Sequence, residues 1–223
     1  MTNQDAGLEA RLVAVGVQLV EERGVQALTL REIARAAGVS HGAPRRYFPT
    51  HVSLLSAIAR TGFADLADRA ADVAVPGEAE RDPRAQVERL CQVYLDFART
   101  RGGMFELMFR HDLLESGHLG LRESSLPLFG LFADTVGRAR PHPAGADARL
   151  VAGALWAGLH GIAQLWTWGS LRLATGADDV GPLLHTLLDA HLGPDPRCAP
   201  STDGSPWPRA SSGRRSSPWT ARY

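Results

Sequence analysis

The residues that could support catalysis are few, and their neighbours argue against most of them. Gly38-Val39-Ser40-His41-Gly42 spells G-x-S-x-G, the arrangement in which a serine nucleophile stands on a strained elbow between a strand and a helix. Here a helical pattern precedes the motif and no alternating strand run or hairpin signal is present. A Ser40 nucleophile would have no sheet to stand on. His111-Asp112 and His118 lack the spacing of a zinc-binding helix, and no cysteine or carboxylate cluster stands near them. Cys91 and Cys198 are too few for a disulfide framework and too far apart for a ligand cluster. The expectation is a protein that is not an enzyme and needs no metal and no cofactor. A different chemistry is offered by His160, Gln164 and Thr167, whose i, i+4, i+7 spacing puts them on one face of an otherwise apolar helix. His160 there either completes a hydrogen bond in a core or lines a pocket, and the spacing alone leaves both open.

The chain has 223 residues, 44% hydrophobic and 22% charged, which suits a globular protein with a sizeable core. The 24 basic residues, all of them Arg, balance 24 acidic ones. The balance is uneven along the chain: residues 1–22 carry a net charge of −3, 23–51 carry +4, 52–193 carry −4 and the segment from Pro194 carries +3. The N-terminal stretch holds Asp5 and Glu9 and no basic leader, so no secretory signal is expected. The longest apolar run, Leu150 to Trp168, is interrupted by His160, Gln164 and Thr167 and reads as a buried helix rather than a membrane span. A cytoplasmic protein without a membrane partner is the expectation.

These residues must be positioned by helices. Leu8, Leu12, Val15 and Leu19 mark one helical face that stops at Gly24. Thr29-Leu30-Arg31-Glu32 has the form of a capping box, in which Thr29 accepts from the Glu32 amide and the Glu32 side chain reaches back. The helix it starts has Ile33, Ala34 and Ala37 inside and ends at Gly38. Ser40 offers a second N-cap two residues later, so the two helices must cross steeply, as in a helix-turn-helix. Pro44, fourth after that cap, deletes a first-turn hydrogen bond, a tolerable loss. Thr50 caps a long run through Leu54, Leu55, Ile58 and Leu66 that Pro76-Gly77 closes, and Asp82-Pro83 opens a helix with Val87, Leu90, Tyr94, Leu95 and Phe97. Further helical runs follow at Met104 to Leu114, Leu126 to Arg138 (ended by Pro141 and Pro143), from Asp147, and after Asp178-Asp179 up to Gly193-Pro194. The fold expected is all-α with about nine helices. Residues 1–55 form a helix-turn-helix head and residues 56–193 a helical body. Residues 194–223, with six Pro and six Ser, form a tail expected to be disordered.

The stretch ALTLREIARAAGVSHGAPRRYFPTHVSLLSAI, residues 27–58, combines the capping box, the small Ala34 four residues before Gly38, apolar Ile33 and Val39, and the Tyr47-Phe48 pair before Pro49. It resembles the TetR-type transcriptional regulators. The body is similar in layout to the ligand-binding and dimerisation part of that family, and WAGLHGIA, residues 156–163, looks like the Trp-His-Gly signature of one C-terminal subtype. The resemblance implies a homodimer on double-stranded operator DNA, its third helices in successive major grooves. It places Thr29 on a phosphate, Arg31 on a base edge or phosphate, and Ser40, His41, Ala43, Arg45, Arg46 and Tyr47 along the groove. Two residues depart from the family pattern: Arg45 replaces the usual aromatic of the recognition helix, and His51 replaces the Lys that opens the fourth helix. An uncharged His51 gives a weaker phosphate contact, for which Arg45, a bidentate reader of guanine, can compensate. Adjacent residues on a helix diverge by about 100°, so of Arg45 and Arg46 one reads bases while the other grips phosphate.

In the body, Leu155, Leu159, Ile162 and Trp166 form one stripe and Gly153, Ala157 and Gly161 a small-residue stripe, so the helix is expected to be buried on several sides. Together with the Leu183, Leu184, Leu187, Leu188, Leu192 helix it should pair across a two-fold axis. Met104, Phe105, Met108, Phe109, Phe129, Phe132, Trp156, His160 and Gln164 are the residues expected around a small, mostly apolar effector. The function expected is a one-component regulator, a repressor released by that effector. The competing reading is a helical protein-binding module in which the helix-turn-helix serves structure only.

Overall fold

Two threonine hydroxyls set the frame of the N-terminal head. In this computed structural model, which describes residues 3–74, 81–110, 112–114, 121–140 and 147–195, helix α1 (Asn3–Arg23) is followed by a 3-10 turn (Val25–Ala27) and helix α2 (Leu30–Ala36). Thr29 caps α2 by accepting from the Glu32 amide at 3.1 Å. The reciprocal half of the expected box does not form, because the Glu32 carboxylate turns instead to the guanidinium groups of Arg23 and Arg35. Gly38, with φ +66°, closes α2. The Val39 amide bonds the Ala34 carbonyl at 3.0 Å and the Gly38 amide the Arg35 carbonyl at 3.1 Å, a Schellman closure that needs the left-handed residue a glycine supplies.

The next element departs from expectation. Ser40 caps no α-helix; the chain makes a single 3-10 turn, Ala43–Arg46, with Gly42 before it and no side-chain cap. Pro44 is the reason: it sits buried near the start of the turn, where its missing N–H costs nothing, and its carbonyl takes both the Tyr47 and Phe48 amides. Helix α3 (His51–Val73) then starts on a complete capping box between Thr50 and Ser53. Leu12, Leu19, Val20, Leu28, Ile33, Phe48, Leu54 and Ile58 fill the core of the head.

Helix α3 runs unbroken across the 55/56 position and into the body, where α4 (Pro83–Thr100), α5 (Gly102–Met108), α6 (Leu121–Ala139), α7 (Ala148–Thr167), α8 (Ser170–Thr175) and α9 (Gly181–Leu192) complete nine α-helices among the described residues. No strand occurs among them. Helix α6 begins at Leu121, earlier than its apolar pattern suggested, and holds Pro127 in its interior; the buried Leu121 anchors the extra turn. The segment read as helical to Leu114 leaves the α-helix at Met108. Gly169 and Gly176, both left-handed, bracket the short α8, which the sequence pattern did not suggest. The Pro76-Gly77 stop, His111, His118, Pro141, Pro143 and the tail from residue 196 lie outside the described residues.

The head is joined to the body chiefly through α5, which packs on both α1 and α3. At the α4–α5 junction Arg101 bonds Glu21 of α1 at 2.7 Å and Asp65 of α3 at 2.6 Å, while Arg69 holds the other side of Asp65 at 2.8 Å. Beside it, Gly103 touches the last turns of α1 so closely that a β-carbon there would collide with the Val20 carbonyl.

Candidate functional site

Around the 3-10 turn the basic residues divide into two groups. Arg23 and Arg35 are bound to Glu32, whose carboxyl the two guanidinium groups hold down at about 2, with Arg35 the stronger influence. Arg31, Arg45 and Arg46 are exposed, and among the described residues Arg31 and Arg45 have no ion-pair partner. Ser40 and His41 are exposed in the turn, Thr29 is exposed at the cap, and Ala43 is half-buried. Tyr47 is half-buried against the core, and its ring lies under the Arg46 guanidinium at 5.9 Å. This geometry reduces Tyr47 to an edge of the surface and makes it a platform for Arg46. In a 3-10 turn successive residues diverge by about 120° rather than 100°, so Arg45 and Arg46 still leave the turn in different directions.

His51 has a structural partner that its exposure did not suggest. Its Nε2 meets the Leu28 carbonyl, and because a carbonyl only accepts, that nitrogen must be the protonated one. The bond ties the first residue of α3 to the segment before α2 and leaves Nδ1 as the ring atom able to face a phosphate. Ser40 of the G-x-S-x-G motif follows an α-helix and a left-handed glycine, so the strand-to-helix elbow of a hydrolase is missing there. No group of three or more metal-binding side chains occurs among the described residues.

The body forms a partly open cavity of about 470 Å³, within the range of small-molecule sites, with the exposed Leu126, Leu131 and Ala157 among its lining residues. Helix α3 contributes Phe63, Leu66 and Ala70; α4 contributes Leu90, Val93 and Tyr94; α6 contributes residues from Ser125 to Phe132; and α7 contributes Gly153, Trp156, Ala157 and Leu159. Four of the residues expected around an effector, Phe109, Phe129, Phe132 and Trp156, meet in this wall. Met104, Phe105 and Met108 do not. They are buried in the core, with the two methionines packed against Gly62 of α3, because their side of α5 faces α3. His160 and Gln164 are half-buried and also lie outside the wall.

His160 stands just behind that wall. Its ring stacks on Phe105 at 5.3 Å and meets Phe109 edge-on at 4.8 Å. Tyr94 joins it to the cavity: the Tyr94 hydroxyl lies 2.8 Å from His160 Nδ1 and accepts from Trp156 Nε1 at 3.2 Å. Burial pushes the tyrosine hydroxyl well above its usual range, outweighing the opposite influence of Trp156, and burial pushes the His160 imidazolium pKa down. The imidazole is therefore neutral near pH 7 and the phenol keeps its proton. Tyr94 had been legible only as a core aromatic of α4; an aromatic with a polar tip on the Leu90, Val93 face was the signal available.

Residues 12–58 match the family of bacterial regulatory proteins called tetR, and residues 87–191 match the tetracyclin repressor-like C-terminal domain. Both matches are to models of the TetR type, one falling on the helix-turn-helix head and the other on the helical C-terminal domain. Among curated proteins it is similar to the nucleoid occlusion factor SlmA of Pasteurella multocida, with 31% identity over 43% of this chain and 47% of that protein. It is also similar to the HTH-type transcriptional repressor KstR2 of Rhodococcus jostii, with 32% identity over 40% of this chain and 42% of that one. The chain thus spans about half the length of the curated relatives it matches. A solved structure of a protein of unknown function from Rhodococcus sp. RHA1 shares 29% identity, covers 83% of this chain and 95% of its own, and superposes with a TM-score of 0.67. No helix among the described residues is long and apolar enough to cross a membrane.

Proposed function

We propose that this regulator is a one-component repressor that occupies double-stranded operator DNA as a homodimer and leaves it when a small, mostly apolar molecule fills the body cavity. The observation that carries the reading is the course of α3. Its first residue, His51, adjoins the exposed arginine turn, and its second half, through Phe63, Leu66 and Ala70, is cavity wall. A ligand that favours one setting of α3 therefore biases how the turn is presented, and a difference in affinity between the two settings is all that such coupling requires.

In this reading Arg45 reads a base edge, Arg31 meets a base edge or phosphate, and Arg46 on its Tyr47 platform grips phosphate, with Thr29, Ser40, His41 and Ala43 completing the surface. With Nε2–H given to Leu28, His51 adds a phosphate contact through Nδ1 only when that nitrogen also carries a proton, because phosphate oxygens only accept. The working division is a head of residues 1–55 and a body of residues 56–193 that share α3. Trp156, His160 and Gly161 are assigned to the Trp-His-Gly subtype of the C-terminal domain, an assignment supported by the joint hold of Trp156 and His160 on Tyr94.

Dimerisation is supported by the outer face of α7. Leu150, Ala154, Ala157, Gly161, Leu165 and Trp168 follow helical spacing, and Leu150, Leu165 and Trp168 are 72%, 38% and 70% exposed, a continuous apolar stripe that water alone would not favour. The leucines of α9 contribute less than their pattern suggested, since Leu184, Leu188 and Leu192 are buried within the chain and Leu187 packs on Gly158 of α7. The test is a mobility shift with an operator selected from random DNA. The complex should survive a large excess of nonspecific DNA, and competition by that excess would return the protein to the class of partner-binding modules.

A further inference from the structure

The polar inventory of the cavity wall is short enough to specify what it holds. Among the described residues the lining holds no Asp, Glu, Arg or His, so none of these side chains can pair with a charge. A carboxylate or ammonium placed against them would be desolvated without compensation. The described lining side chains with hydrogen-bonding atoms are Ser125, Trp156 and Tyr94. The Trp156 N–H is already committed to the Tyr94 hydroxyl, and that hydroxyl is in turn 2.8 Å from His160 Nδ1.

The direction of this chain of bonds decides the remaining capacity. A phenol has one proton and two acceptor sites. Trp156 uses one acceptor site, and the bond to His160 Nδ1 uses either the phenolic proton or the second acceptor site, according to which ring nitrogen of the neutral imidazole carries its proton. Tyr94 thus keeps one hydrogen-bonding position, an acceptor in the first case and a donor in the second. Ser125 can likewise act either way. Building on the effector reading above, we infer that the ligand of this cavity is an uncharged, mostly hydrocarbon alcohol or phenol, whose hydroxyl serves either position on Tyr94 Oη. A hydrocarbon of the same shape gains nothing from Tyr94, and a carboxylic acid is rejected in its ionised form.

Three probes that share one skeleton test this: 4-phenylphenol, biphenyl and biphenyl-4-carboxylate, titrated calorimetrically into the full-length protein and into Tyr94→Phe at neutral pH. The phenol should bind the wild type about fivefold more tightly than biphenyl, the return of one neutral hydrogen bond, and the carboxylate should bind at least about tenfold more weakly than the phenol. In Tyr94→Phe the phenol and biphenyl should converge while biphenyl binding persists. Equal affinity of phenol and biphenyl for the wild type, or carboxylate binding as tight as the phenol, overturns the inference and leaves the effector reading standing. Failure of all three to bind overturns both. The comparison of the probes on wild-type protein stands whether or not the variant folds.

Discussion

Substituting the adjacent glycines at the start of α5 separates close packing from helix propensity. At Gly103 a methyl group would run into the Val20 carbonyl of α1, a backbone atom that cannot rotate away. At Gly102 a methyl group meets nothing within 4 Å. Gly103→Ala should therefore push α5 off the end of α1 and stretch the Arg101 bonds to Glu21 and Asp65 beside it. Overpacking of this kind costs about 1 to 3 kcal/mol, which for a chain of this size lowers the melting temperature by roughly 3 to 10 °C. Gly102→Ala removes unfolded-state freedom without a clash and should be neutral or stabilising by up to about 1 kcal/mol. The assay is thermal unfolding followed by circular dichroism on both variants, with operator affinity measured in parallel. Because α5 also carries the Phe105 packed on His160, Gly103→Ala should weaken the head-to-body junction and change the effector response along with stability. Equal melting temperatures for the two variants would refute the claim that α5 is fitted to α1 at Gly103.

Three further expectations follow from other parts of the molecule. The Glu32 carboxyl, held at about 2 by Arg35 and Arg23, lies below its ordinary value of 4.5, so its contribution to stability is complete above pH 4.5 and is lost as pH falls toward 2. In acid titrations Glu32→Gln should show a shallower loss across that window than wild type, and identical acid limbs would contradict the pairing. Ala154→Arg, on the exposed α7 stripe and outside the cavity wall, should give monomers in sedimentation experiments that no longer bind operator, whereas a dimer of unchanged affinity would remove α7 from the interface. Pro44→Ala should lengthen the reading turn toward α-helix, visible as altered amide exchange over residues 40–47, and unchanged exchange would show that the proline does not set the 3-10 form.

The parts of this fold that could be read from the sequence are those set by neighbours along the chain. Thr29, Gly38, Thr50, Asp82, Asp147 and Gly193 stop or start helices through bonds to residues within five positions, and each does so in the structure. What escaped depends on partners distant in sequence. Glu32 abandons the Thr29 amide because the fold brings Arg23 to it, and His51 is engaged by a carbonyl 23 residues earlier. The cavity shows the same limit: aromatic and methionine content pointed to α5, α6 and α7, but which face of α5 meets α3 is a matter of packing. Thus Met104 and Met108 went to the core and Tyr94 to the wall. Pro44 was visible and its effect underestimated, since a proline tolerated in the first turn of a helix can also confine the element to that turn.

Sequence reading by the exposed arginines of the head is tested by the affinity of Arg45→Ala for a selected operator and for a panel of operators altered at single positions, at fixed salt. Loss of about 1 to 3 kcal/mol on the parent operator, with discrimination relaxed at one position and the melting temperature unchanged, is the predicted result. Wild-type affinity and unaltered discrimination in Arg45→Ala, repeated in Arg31→Ala, would contradict it.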